Sequence, residues 1–271
     1  SLSALSALSC VTSMPVENVL RKVVAKRRQT ATTEQTVARL TQDAVTPKAL
    51  PQWDDLLVAA YRHMGSARCS DFYDIVQLRD KTAAIIVARV AAQGEVLSRY
   101  LAEMRAAFRT AALYSEPPHL FARALNWVIF DGDAKQTIDF ACVWVAPETG
   151  KVQYCTAGNG VRLGRILADG SCELVAGPAM PPIGQTRAPA FACQTIDLDE
   201  GDTLVLATEG VNTAVNARKE VFGWEGLKEN LCDGLGNAPG TMLSEFAKDL
   251  TDFVQGGGCA DDLTVMLVQR P

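Results

Sequence analysis

A chain of 271 residues, 48% apolar and 21% charged, is long enough for one large α/β domain, or for one domain plus a helical appendage. Its formal net charge of −5 leaves no basic footprint for neutralising phosphate backbones, so nucleic acid is excluded as a partner and other proteins are favoured. No run approaches the roughly 20 apolar residues that a membrane span needs, and residues 1–10 lack the basic flank of a signal peptide.

The opening Ser-Ala-Leu text reads as linker, and without an initiator Met the chain is expected to be a piece of a longer protein. Residues 1–50 show helical periodicity. Val16, Leu20, Val23 and Val24 share one face behind Pro15, and Val37, Leu40, Ala44 and Val45 repeat the pattern after a Thr-rich break with an N-cap at Thr32 or Thr33. Pro47 and Pro51 end the stretch. These helices either pack on the domain or form a signalling linker that dimerises; Lys26, Arg27 and Arg28 read as a solvated face.

From Trp53 onward, short β-branched runs alternate with turns. Leu56–Tyr61, Phe72–Leu78, Ala83–Val90, Ile138–Val145, Val152–Thr156, Arg162–Leu167, Thr203–Ala207 and Leu263–Val268 read as strands, joined mainly as antiparallel hairpins. Two helical blocks interrupt them. Leu97, Tyr100, Leu101, Met104 and Phe108 form one apolar stripe, followed by His119–Phe130. A shorter helix near Trp224–Cys232 precedes the stripe Leu243, Phe246, Ala247, Leu250, Phe253 and Val254. The expectation is an α+β fold of two packed antiparallel sheets covered by helices, with residues 51–271 as the domain and Gly256–Gly258 as a flexible joint.

Eight cysteines are scattered without a C-x-x-C pair, and only two histidines exist, which argues against zinc. Such cysteines read as small buried hydrophobes of a reducing compartment rather than a disulfide framework, giving the cytoplasm as the expected location.

Carboxylates recur at predicted strand ends, where oxygen cages for Mg²⁺ or Mn²⁺ are built. The ordered series Ser70-Asp71-Phe72-Tyr73-Asp74, Ala157-Gly158-Asn159, Pro182-Ile183-Gly184, Glu200-Gly201-Asp202, Thr208-Glu209-Gly210, Val221-Phe222-Gly223 and Asp261-Asp262-Leu263-Thr264 resembles the SpoIIE/RsbU branch of the PPM-type (type 2C-like) serine/threonine phosphatases, from about Gln42 to the C-terminus. That resemblance implies an α-β-β-α sandwich. It also implies two divalent cations, Mn or Mg, roughly 3.5–4 Å apart, activating water against a phosphoserine or phosphothreonine.

Position by position, the resemblance makes Asp71 the first metal ligand and Asp261 the last, with Glu209 in place of the usual aspartate of Thr-Asp-Gly. The departure lies in Val87–Gly94, where Arg89 stands at the metal-bridging aspartate, so the catalytic set is left undefined. Cys69-Ser70 replaces Gly-Gly, and Asn159 replaces a common His. A guanidinium about 4 Å from a divalent ion, at an effective dielectric near 20, is repelled by roughly 8 kcal/mol. Arg89 therefore acts as an internal cation paired with Asp71 or Asp261, or turns to solvent beside a weak single-metal site, unless the register slips by a residue. Two functions follow from the resemblance. One is a pseudophosphatase or adaptor that needs no metal and holds a protein partner; the other is an active Mn- or Mg-dependent phosphatase acting on an anti-anti-sigma-like regulator.

Overall fold

The computed structural model describes residues 36, 40–66, 70–132, 136–175, 177 and 180–271. The expected N-terminal helical face (Val16 to Val24), the basic cluster at 26–28, the caps at Thr32 and Thr33 and the position of Val37 lie outside the described residues, as does Cys69. Residues 40–45 are helical and lead through Pro47 and Pro51 into the sheets.

Two five-stranded antiparallel sheets face each other. The first contains β1 (Leu57–His63), β12 (Leu263–Gln269), β9 (Thr203–Thr208), β6 (Val161–Ile166) and β7 (Cys172–Leu174), in that order. The second runs β2 (Asp71–Gln77), β3 (Ala83–Val90), β4 (Ile138–Val145), β5 (Lys151–Ala157) and β8 (Gln194–Asp197). Helices α1 (Gly94–Leu113) and α2 (Pro118–Phe130) cover the second sheet, and α3 (Gly223–Asp233) and α4 (Pro239–Phe253) cover the first. A short ribbon of β10 (Ala214–Val215) and β11 (Gly258–Cys259) leads back into β12. This is the expected sandwich with helices on both faces.

Side-chain alternation explains the layering, because successive residues of a strand face opposite sides. In β3, Ala83, Ile85 and Val87 enter the core between the sheets, while Ala84, Ile86, Ala88 and Val90 meet α1 and α2. All are fully buried, which is why this strand is apolar throughout rather than alternating. The odd-numbered face also carries Arg89, and the equivalent faces of the flanking strands carry Asp71 and Asp139. Three charged residues thereby line one end of the inter-sheet space.

Two expectations are corrected. Cys172 and Cys232, 60 residues apart, form a disulfide that ties edge strand β7 to α3, whereas Cys142, Cys155, Cys193 and Cys259 are free. The fold alone makes these two neighbours; no sequence spacing announces it. The glycine run is a packed turn, not a joint: a Cβ at Gly257 would lie 2.0 Å from the Val215 carbonyl oxygen, so its missing side chain admits β11 against β10.

Phe108 ties the helical layer to its sheet. Its ring is fully buried and meets Phe121 and Trp144 edge-on at 5.8 and 5.9 Å. Phe108→Ala is expected to cost about 4 kcal/mol, read as a shift in the urea midpoint at unchanged slope.

Candidate functional site

Strand register builds the site. Asp71 opens β2 directly opposite Arg89 near the end of β3, and Arg89 lies opposite Asp139 at the start of β4. Facing residues of adjacent antiparallel strands sit about 4.5–5.5 Å apart, so this row is carboxylate, guanidinium, carboxylate. The first sheet closes it: Arg89 donates through Nη2 to Asp261 Oδ2, from the segment leading into β12. Both side chains of that ion pair are largely sheltered, 17% and 9% exposed.

Asp71 is completely buried. Its Oδ2 accepts the Thr208 hydroxyl at 2.6 Å, and the same hydroxyl oxygen accepts the Thr264 N–H at 2.9 Å. Burial pushes its carboxyl from 3.8 up to about 7, and the charge of Asp262 adds to the rise. The Thr208 and Thr264 hydroxyls and Arg89 pull it back only in part. Asp139 is also raised, first by burial, while Arg89 and the backbone N–H groups of Asn159 and Gly160 oppose the rise and Glu209 adds to it. A Cβ at Gly158 would fall 1.6 Å from Asp139 Oδ1, and one at Gly160 would fall 2.4 Å from Oδ2. The Ala157–Gly160 turn therefore closes on this carboxylate only because both positions are glycine.

Asp262 is held from elsewhere. Its Oδ1 accepts the Gly65 N–H at 2.9 Å, and its Oδ2 accepts the Gln42 amide at 2.7 Å. The same Gln42 nitrogen lies 2.6 Å from the Asp71 carbonyl oxygen. Gln42 belongs to the helical stretch 40–45 and is wholly buried, so the segment preceding the sandwich ends inside the site.

Glu209 faces another way. At the head of the 3₁₀ turn Glu209–Thr213, its Oε2 accepts the Asn212 amide at 2.7 Å, and its Oε1 lies 4.0 Å from Arg162. Arg162 in turn stacks over the Trp224 ring at 4.4 Å. Of the residues named from sequence, Asp71, Arg89 and Asp261 thus share one buried end of the sandwich, and Glu209 is engaged at its rim. Among the described residues, no group of three or more His, Cys, Asp or Glu is placed to hold a metal ion. The donor set does not fit a two-metal centre, because the central position is a guanidinium already bound to one of the expected ligands.

Sequence reading missed Asp139, and it quoted Asp262 and Gln42 without giving them roles. The available signal for Asp139 was an acid on the inward face of the apolar run Ile138–Val145. Nothing local marks Gln42, whose contacts span 29 and 220 residues.

Residues 81–271 match the family model described as Stage II sporulation protein E (SpoIIE). Protein IcfG of Synechocystis sp. is 22% identical over 260 residues, covering 86% of this chain; the chain spans only 40% of that relative's length. The SiaA-PP2C domain of Pseudomonas aeruginosa superposes with a TM-score of 0.73 at 19% identity, over 90% of this chain and 98% of that one. The RsbU and RsbW domains of a Mycobacterium tuberculosis protein give 0.65 at 19% identity, over 79% and 60%. The fold is that of PP2C-type phosphatase domains.

Asp71 sets a pH dependence of stability. An acid whose pKa rises on folding holds its proton more tightly folded than unfolded, so its contribution is complete below about pH 4 and lost as the pH climbs through about 7. In chelator-containing buffer the melting temperature is expected to fall between about pH 5 and about pH 8, and Asp71→Asn is expected to flatten that fall.

Proposed function

The chain belongs to the SpoIIE family, and within it we propose that it is a pseudophosphatase: a bacterial signalling regulator that holds a protein partner on a PP2C-type surface without hydrolysing phosphate. One observation carries this reading, the ion pair of Arg89 with Asp261 in the row between Asp71 and Asp139. A fixed monovalent cation bonded to a carboxylate answers the charge that divalent metals would otherwise answer, and it needs no metal supply. Activation of water by a metal pair has no place in such a site, so the residues neutralise and position one another. Asp71, Glu209 and Asp261 are then vestigial ligands.

The proposed partner is an anti-anti-sigma-like regulator or another signalling protein. The presence of RsbU and RsbW domains together in one mycobacterial protein supports a protein partner in signalling. Among the described residues, no helix is long and apolar enough to cross a membrane. We place the domain at 51–271 and the preceding segment at 1–50 as a signalling linker, with a cytoplasmic location and dimerisation through the N-terminal helices as parts of the same proposal. Gln42 supports the linker role, since it connects residues 40–45 to Asp71 and Asp262 directly.

A second reading keeps the enzyme. Asp71, Asp139, Asp261 and Asp262 still gather at one end of the sandwich, and a swing of Arg89 away from Asp261 would leave oxygens for Mn²⁺ or Mg²⁺, with a phosphorylated regulator as substrate.

Calorimetric titration of the metal-stripped chain with Mn²⁺ separates the two. No saturable binding at millimolar metal is the expected result, with binding gained in Arg89→Asp; binding of two ions by the unaltered chain would overturn the proposal. Arg89→Ala leaves Asp261 without its cation in a sheltered site, and a loss of about 3 kcal/mol in thermal or urea unfolding is expected. Unchanged stability would show that the guanidinium does not neutralise the row.

A further inference from the structure

The opposite face of β2 carries a second charged cluster that the proposed function leaves unused. Asp74 is completely buried beneath α1, and its carboxylate is saturated. Oδ1 accepts the Ile75 N–H at 2.9 Å and Arg109 Nη2 at 2.9 Å, while Oδ2 accepts Arg109 Nε at 2.7 Å. Arg109 thereby neutralises Asp74 through a two-pronged contact. Arg105, one turn earlier on the helix, pairs with the same carboxylate at longer range: its Nε lies 3.8 Å from Oδ2, an ion pair beyond hydrogen-bond reach.

Beside Arg105 opens a cleft of about 500 Å³ between α1, the end of β2 and residues 44–51. Its polar lining is Thr46, Lys48, Gln77, Arg105 and Arg109, and none of the lining residues is a carboxylate. Lys48 has no ion pair among the described residues. Arg105, Arg109 and Lys48 have the one carboxylate of Asp74 between them, an excess of two positive charges, in a chain whose net charge is −5. That excess of positive charge, in a cleft lined by no carboxylate, suits an acceptor of negative charge.

We propose that this cleft is an oxyanion site that binds a phosphate group between α1 and the Ala44–Pro51 segment. Phosphate suits it better than carboxylate, because its oxygens carry enough charge and enough lone pairs to accept at once from a guanidinium and an ammonium converging from different elements, while the Thr46 hydroxyl stays committed to the Gln42 carbonyl oxygen. The group can belong to a small-molecule diphosphate or to a phosphorylated side chain. Either would fasten residues 44–51 to the domain two residues after Gln42 enters the first site, so occupancy of the cleft would stabilise the contacts of Gln42 with Asp71 and Asp262.

The test is calorimetric titration of the full chain, at low ionic strength, with inorganic pyrophosphate and separately with a phosphoserine peptide. Saturable binding of at least one probe is expected, weakened about tenfold or more by Arg105→Gln and by Lys48→Gln. Arg162→Gln, at the rim of the first site, is expected to leave it unchanged. Arg105→Gln keeps the Asp74–Arg109 contact intact, so an unaltered melting temperature without ligand confirms that lost binding is not lost folding. Tighter binding of pyrophosphate assigns the site to a small molecule, and tighter binding of the peptide assigns it to a phosphoprotein. No saturable heat with either probe at millimolar concentration, or binding indifferent to both cleft substitutions, overturns the proposal.

Discussion

The placement of one guanidinium among carboxylates from both sheets governs the rest of the site. Arg89 stands between Asp71 and Asp139 in its own sheet and reaches across to Asp261 beside the other. A single positive charge cannot neutralise three acids, so the remaining charge has to be suppressed in another way. Asp71 does it by retaining its proton toward neutral pH, and Asp139 by accepting backbone N–H groups from a turn with two glycines. Asp262, just beyond, uses Gly65 and Gln42. Each acid needs a different local device because the one cation is already committed.

How much of this was legible depends on the distance over which the information is encoded. Strands β3 and β4 coincide with the sequence reading at both ends, because long apolar runs bounded by turns are local signals. Strands β7 and β8 escaped it: three or four residues with exposed positions carry no apolar alternation, and they exist because a neighbouring strand offers an edge. Asp71, Arg89 and Asp261 were legible through motif order. Asp139 became visible only with the register that sets it opposite Arg89, and Gln42 only with the packing of residues 40–45. The Cys172–Cys232 bond belongs to the same class, since it joins an edge strand to a helix 60 residues later.

Strand β2 links the two charged clusters through its pleat. Asp71 and Asp74 are three residues apart and so project from opposite faces, one toward the space between the sheets and the other beneath α1. Each is fully buried, and each is answered differently: Asp71 by a hydroxyl and an incomplete share of Arg89, Asp74 by the full contact of Arg109. Burial of a carboxylate is tolerable only with such compensation, so neither partner can move independently of the strand.

That coupling gives the segment before the sandwich an unusual leverage. Gln42 bonds the backbone of Asp71 on one side of β2, while residues 44–51 wall the cleft beside Arg105 and Arg109 on the other. A displacement of residues 40–51 would withdraw an amide from Asp262 and open the basic cleft in the same motion. A site answering to bound metal would respond to such a displacement by losing or gaining an ion; one balanced by Arg89 can respond only by redistributing its protons and hydrogen bonds. The Arg89–Asp261 pair and the contacts of Gln42 therefore couple this end of the fold to its N-terminal segment, a coupling that the proposed role as a binding regulator would use.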